Sequence, residues 1–253
     1  MKKNLLASCL YLVLAAAAVP VHAQDNAPAT NWSLGLAAVS GNSPYRGYDE
    51  KIWPIPAVNY DSSQYYLQGL SAGFYLVKNQ AYDLSIDASI ATNYFDPSDT
   101  TNTQLKKLKT RDPSLMAGLR FRHRADWGLV QVNVAHDVGS NAGQNAQFEY
   151  GYPITGSKLS LTPSVGESWD SSKFNAYYYG ISYNDAARSS LAAYRPGASW
   201  SPYAKVTATY QITLRWSAFA QVRYTRFADQ ISNSPMVDSK GVASYLVGAL
   251  YHF

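Results

Sequence analysis

The side chains able to do chemistry are few once the apolar leader is set aside. Three histidines remain, His123, His136 and His252, and the single cysteine, Cys9, lies in the leader itself. The remainder therefore has neither a disulfide nor a thiol nucleophile. His123 and His136 stand thirteen residues apart in the largely apolar registers of neighbouring strand-like segments, and no HExxH, CxxC or His–acid spacing marks a metal site. Ser and Asp are plentiful, but none forms a nucleophile elbow. A Ser, a His and an acid can still converge at a barrel rim without a linear motif. Lipid hydrolysis would then depend on His123 or His136. The reading adopted is a non-enzyme with no cofactor and no metal.

The charged side chains are more informative. Arg120, Arg122, Arg124, Lys205, Arg215 and Arg223 fall on the same side of their segments as Asp83, Asp87, Asp137 and Glu149. Mixed charge on a hidden side can pair and fill a narrow interior, because buried charges need partners. It can also form a ring that selects solutes. Filling is favoured, because a twelve-stranded barrel encloses limited space.

The elements that must position these residues are strands. Counting back from the end in twos gives Phe253, Tyr251, Ala249, Val247, Tyr245, Ala243 and Gly241, all apolar, aromatic or glycine. Period two puts such a set on one face of a strand. A last strand with an apolar face running to a terminal Phe is common in outer-membrane barrels, where its aromatic end sits at the membrane interface. Tyr245, Tyr251 and Phe253 also make the terminal pattern that barrel assembly machinery recognises. The same alternation runs through residues 32–38, 81–94, 115–125, 128–138, 144–152, 158–169, 200–211 and 214–227. Aromatics bracket several of them, as Tyr82 and Tyr94, Trp200 and Tyr210, and Trp216 and Tyr224 do, which is the two-girdle pattern of a membrane barrel. Segments of roughly 10–13 residues suit a tilted crossing of the bilayer.

Composition agrees. The chain has 253 residues, with 21 Tyr and 6 Trp but only 15% charged residues. Its mean hydropathy is −0.24, as expected where lipid-facing and lumen-facing residues alternate. Residues 1–23 read as a cleaved signal peptide: Lys2 and Lys3, an apolar run, then Val21-His22-Ala23 at the cleavage site. Residues 24–253 form the barrel. Without the leader's two lysines, 19 basic residues face 17 acidic ones, too balanced for a nucleic-acid partner.

Two further segments, 52–61 and 64–77, are read as strands, the first in spite of Pro54 and Pro56. Counting the poorly alternating segment 174–183 as well gives twelve strands; dropping it and the first segment gives ten. The fold expected is an all-β, transmembrane antiparallel β-barrel in outer-membrane lipid, with both termini periplasmic. In the twelve-strand reading, segments 40–51, 184–199 and 228–240 lie outside the cell. The segment 96–112 faces the periplasm, where Lys106, Lys107, Lys109 and Arg111 form a solvated loop or a basic contact for a periplasmic protein.

Several stretches carry a family resemblance. They are Arg46-Gly47-Tyr48-Asp49 running into Ile52-Trp53-Pro54-Ile55-Pro56, the run from Tyr177 to Gly180, Ser201-Pro202-Tyr203, and Asn233-Ser234-Pro235-Met236-Val237-Asp238. Together the chain resembles the MipA/OmpV family of outer-membrane proteins over nearly all its length after the leader. The resemblance implies a non-catalytic barrel. It also implies a scaffold that joins a lytic transglycosylase to a bifunctional penicillin-binding protein. Other members are linked to osmotic response, adhesion or solute uptake, so a narrow porin with the inward arginines as its filter is the alternative.

Overall fold

The structure is a computed structural model that describes residues 32–139 and 142–253. The signal-peptide expectation for residues 1–23 lies outside the described residues.

Thirteen strand segments form one sheet. They are β1 (Trp32–Gly41), β2 (Lys51–Asp61), β3 (Tyr65–Gln68), β4 (Ser71–Lys78), β5 (Tyr82–Ala91), β6 (Ser114–Ala125), β7 (Gly128–Asp137), β8 (Gln144–Gly151), β9 (Ile154–Thr155), β10 (Leu159–Asp170), β11 (Ser199–Gln211), β12 (Trp216–Arg226) and β13 (Gly241–His252). The two-residue β9 prolongs β8 past Pro153 and pairs with the same neighbour, β10. The wall therefore has twelve strands. Every pairing is antiparallel, and β13 bonds to β1 while β10 bonds to β11, so the sheet closes on itself. Closure satisfies the ladder groups that an open sheet would leave unpaired in lipid.

Alternation sets the two faces. Leu36, Val165 and Val247 are 73%, 57% and 58% exposed on the outside, where the neighbour is hydrocarbon. Their strand neighbours Ala37, Ser164 and Leu246 are buried inside. Aromatic pairs mark both rims: Trp32 with Tyr60 and Trp216 with Tyr251 at the chain-end side, Trp169 with Trp200 at the other. The turns beside the chain ends are short and most of the opposite connections long, so the chain-end side is periplasmic.

The structure corrects two segments. Residues 64–77 are a hairpin, β3 and β4, that reverses at Gly69 with φ of +58°, a left-handed turn that glycine adopts without strain. Residues 174–183 are no strand. They belong to helix α1 (Ser172–Tyr179), whose N-cap Ser171 accepts a hydrogen bond from the Phe174 amide, and to the start of α2 (Tyr183–Ser189). One strand gained and one lost leave the total at twelve. Between the two positions, however, every connection moves to the opposite end. The segment 96–112 therefore faces the exterior instead of the periplasm. It bonds to the first outer loop through Thr101 N–H to Gly47 O at 2.7 Å and Lys51 Nζ to Asp99 at 2.6 Å.

The short hairpin also explains the prolines of β2. Its partner β3 covers only Asn59–Asp61, so the ladder gives residues 52–57 no partner on that side among the described pairings. The Val58 carbonyl points to that edge, where it accepts from Gly69. By the two-residue repeat, the amides of residues 54 and 56 would point there too. Proline at both places removes two N–H groups that would otherwise be left unpaired.

The main apolar core is a plug in the outer mouth. Tyr45, Phe95, Leu105, Phe174, Tyr178, Tyr179, Ile231, Met236 and Val237 from four outer loops pack there, each 5% exposed or less. A smaller apolar cluster, Ala37, Val39, Ala57 and Leu246, lines one sector of the lumen below.

Candidate functional site

Beneath the plug the lumen carries two similar constructions. In the first, Gly73 lies between Tyr66 and Asp87 on its neighbouring strands. With no side chain at Gly73, the Tyr66 ring lies flat over the backbone; a Cβ there would stand 2.2 Å from the hydroxyl. The hydroxyl donates to Asp87, and the Arg120 guanidinium covers the ring at 3.8 Å from its centroid. In the second, Gly166 lies between Tyr203 and Glu149. A Cβ there would stand 2.4 Å from the Tyr203 ring. Tyr203 donates to Glu149 at 2.8 Å, and the Arg223 guanidinium covers its ring at 3.6 Å. A desolvated cation over an aromatic face gains about 2 kcal/mol.

The two differ in how far they are satisfied. Glu149 also accepts from Lys205 at 2.7 Å, and Arg223 donates to Thr225 and Ser168, both at 3.2 Å. Among the described residues Arg120 bonds to Gln68 at 3.3 Å, and its Nε and Nη2 have no partner. Next to it, Asp83 takes both Arg122 at 3.0 Å and Arg124 at 2.8 Å.

Of the residues expected inside, the structure places Asp83, Asp87, Arg120, Arg122, Arg124, Lys205 and Arg223 on the lumen side. Arg215 is a correction. Its strand begins at Trp216, so Arg215 sits exposed in the preceding turn and donates to the Tyr251 hydroxyl at 3.0 Å. Lys106, Lys107 and Lys109 are exposed on the outer face, while Arg111 turns into the plug and donates to the Gly180 carbonyl at 3.3 Å. The outer position removes the reason for reading these four as a periplasmic contact. Tyr245 faces outward, and Tyr251 meets Trp216 and Phe253 edge-to-face at the periplasmic rim.

The histidines do not converge. His136 is exposed, His123 lies against Trp127, and His252 bridges Ser33 and Ser217 at 2.7 Å each on the lumen floor. Among the described residues, no group of three or more His, Cys, Asp or Glu is placed to hold a metal ion.

Sequence reasoning missed Tyr66 and Tyr203. Each sits in a strand whose other tyrosines and most apolar residues face outward, so residue type alone did not single them out. The glycines opposite were the available signal.

Three of the stretches that carried the family resemblance, 46–49, 177–180 and 233–238, meet in the plug, while 52–56 and 201–203 lie in the wall strands β2 and β11. Tyr45 bridges to Val237, Arg46 Nε donates to the Val237 carbonyl at 3.1 Å, and Ser234 Oγ donates to the Tyr179 carbonyl at 2.7 Å. Tyr48 donates to the Asp96 carbonyl at 2.6 Å. Two plug carboxylates are held below their ordinary range. For Asp185, burial raises the value, but hydrogen bonds from Ser182 and Arg188 and the charge of Arg111 outweigh it. For Asp96, burial is outweighed chiefly by the Tyr94 hydroxyl and Ser98.

Between plug and arginines lies a cavity of about 110 Å³. The interior is thus a capped chamber, lined by apolar as well as polar side chains, beside interlocked ion pairs.

The comparisons with known proteins agree with this barrel. The profile of the family described as MltA-interacting protein MipA matches residues 34–253. The MltA-interacting protein of Escherichia coli (strain K12) is 34% identical over 245 residues, covering 96% of this chain and 97% of its own length. The putative outer membrane protein YiaT of Escherichia coli O157:H7 is 33% identical over 90% of this chain and 93% of its own. Outer membrane protein OmpV of Vibrio cholerae is 31% identical over 158 residues, 61% of this chain and 60% of its own. A closed twelve-stranded outer-membrane barrel with a loop plug, matched across residues 34–253, belongs to the MipA family.

Proposed function

We propose that this barrel is a non-conducting anchor that holds murein enzymes at the periplasmic face of the outer membrane. The observation that carries the reading is the closed bore. Aromatic loops fill the outer mouth, and Asp83, Glu149 and their cations fill the lumen below. A conducting pore needs a continuous wetted path in which ions bind weakly. Tight buried ion pairs oppose that, so the narrow-porin alternative loses support. The relatives named for interaction with MltA support a murein-degrading lytic transglycosylase as one partner. A bifunctional penicillin-binding protein is the second partner that the scaffold reading calls for.

The docking surface on this reading is the periplasmic rim, formed by residues 61–65, 78–82, 125–128, 151–159 and 211–216. Lys158 and Arg215 are exposed basic groups on two of the longer turns; Lys78, also exposed, is paired with Asp61 at 2.8 Å. The test is a pull-down of an MltA-type lytic transglycosylase by the detergent-solubilised barrel. K158E with R215E should weaken capture, whereas K106S, K107S and K109S together should leave it unchanged. Loss of capture through the outer lysines alone would sink the periplasmic surface. Planar bilayers supply the second arm: the folded protein should be silent, and steady ion-selective openings would overturn the non-conducting anchor.

A further inference from the structure

The wall between β2 and β5 is notched in its outer half. β3 pairs with β2 only across Asn59–Asp61, and the hairpin then reverses at Gly69. Its tip is tied on both sides. Gly69 N–H donates to the Val58 carbonyl at 3.0 Å, and Ile90 N–H donates to the Leu70 carbonyl at 3.1 Å. Above that tip, residues 52–57 have no strand on this side among the described pairings, and β5 ends at Ala91. The notch closes at the top, where Lys51 meets Asp99 at 2.6 Å and Tyr48 bridges to Thr100. Six residues at about 3.3 Å each give it a length of about 20 Å along β2. With the usual strand tilt of about 40° that is about 15 Å of height, half of a hydrocarbon core of about 30 Å.

Three observations say what the notch faces. Pro54 and Pro56 remove the amides that would point into it. Water would solvate such amides and another strand would need them, so their loss suits a hydrocarbon neighbour. The outward rim is apolar, with Ile52, Leu70 and Ile90 all exposed. Behind the rim, Trp53 and Ile55 turn inward yet stay part-exposed, whereas their cross-strand partners Val39 and Ala37 are buried. Trp53 and Ile55 front the apolar sector of Ala37, Val39, Ala57 and Leu246, in a lumen that elsewhere carries ion pairs.

We infer that the notch is a lateral groove that binds one acyl chain of an outer-leaflet lipid. The occupant follows from the place, because bilayer hydrocarbon is what the notch opens onto. The chain lies along the free edge of β2, with Ile52, Pro54 and Pro56 toward the bilayer and Trp53 and Ile55 toward the barrel interior. The prolines also keep that edge from pairing with a strand of a second copy. The plug and the ion pairs stay as they are, so the bore remains shut and the groove does not depend on the murein anchor.

The experiment maps acyl-chain contacts on the unmodified barrel. The protein is refolded into phosphatidylcholine vesicles that contain a phosphatidylcholine with a diazirine in one acyl chain, irradiated, and read by peptide fragmentation. The expected result is labelling of the inward residues Trp53 and Ile55 along with outward residues such as Val165 and Val247. The inward Ser164 and Lys205, on the closed wall, should stay unlabelled. Labels confined to outward residues would mean that protein closes the notch, and labels on Ser164 and Lys205 as well would mean indiscriminate entry; either overturns the groove. Ile55→Asp should cut labelling of Trp53 by roughly tenfold or more, because a carboxylate is disfavoured in hydrocarbon, and leave Val165 and Val247 unchanged. Undiminished Trp53 labelling in the folded variant also overturns it. If Ile55→Asp does not give the compact heat-modifiable band of a folded barrel, the map of the unmodified protein decides alone.

Discussion

The two glycine–tyrosine–arginine constructions in the lumen share a plan and differ in saturation. Both seat a tyrosine over a glycine, both donate its hydroxyl to the carboxylate across that glycine, and both lay an arginine on the ring. Around Glu149 the plan is complete: Lys205 supplies the counter-charge and Arg223 has two further acceptors. Around Asp87 it is not, because Asp83 gathers Arg122 and Arg124 and leaves Arg120 without an ion pair. The difference teaches that one plan can end in a fully paired unit or leave a buried cation without a counter-charge.

The contrast can be broken in order of size. Glu149→Leu leaves Lys205 buried without its carboxylate, and the expected loss is about 3–5 kcal/mol of stability. Asp87→Leu removes only hydroxyl partners, and about 1–3 kcal/mol is expected. Urea unfolding followed by gel mobility of the heat-modifiable band should separate the two; equal losses would erase the distinction. Adding bulk at the glycines comes next. Valine at either position overpacks the ring above it, at about 1–3 kcal/mol. Gly166→Val should be the worse, because its Cβ also meets the Phe148 carbonyl at 2.4 Å, whereas at Gly73 the nearest atoms all belong to Tyr66.

The arginines give the sharpest sign test. Arg223→Met strands the hydroxyls of Ser168 and Thr225 and should cost about 1–2 kcal/mol. Arg120→Met relieves a buried charge that has no counter-ion but also loses its contact with the Tyr66 ring, so the two effects oppose and stability should stay within about 1 kcal/mol of the original. A large loss from Arg120→Met would show that its charge is structurally satisfied after all.

The smallest effect concerns the plug. Asp185 has a folded value below its ordinary 3.8, so the unfolded chain binds its proton first as pH falls. Its stabilisation is complete above the ordinary value and disappears as pH drops through the lower folded one. Amide exchange at Gly180 and Ile181 should therefore quicken below about pH 4 relative to the wall strands. Asp185→Asn should flatten that dependence, and an unchanged profile would remove Asp185 as its source.

The sequence by itself determined the barrel. Lipid outside and a polar interior impose a two-residue rhythm on every long strand, and that rhythm is written in residues such as Leu34, Leu36, Val130, Val132, Ala218 and Val222. It also determined the inward charges, apart from Arg215, because register fixes the side on which each lies. Tertiary structure alone decided the rest. Residues 64–77 alternate as one strand would, and only the glycine at 69 reveals the reversal. The run at Tyr177 has strand-forming residues, yet Phe174 and Tyr178 are spaced for a helix that gains its stability by packing in the plug. These local ambiguities put segment 96–112 at the wrong end, because in an antiparallel wall each reversal flips everything after it. Which cations found carboxylates was equally invisible, since Asp83, Arg122 and Arg124 are sorted from Arg120 by the three-dimensional reach of side chains across strands, and a one-dimensional pattern carries no such distances.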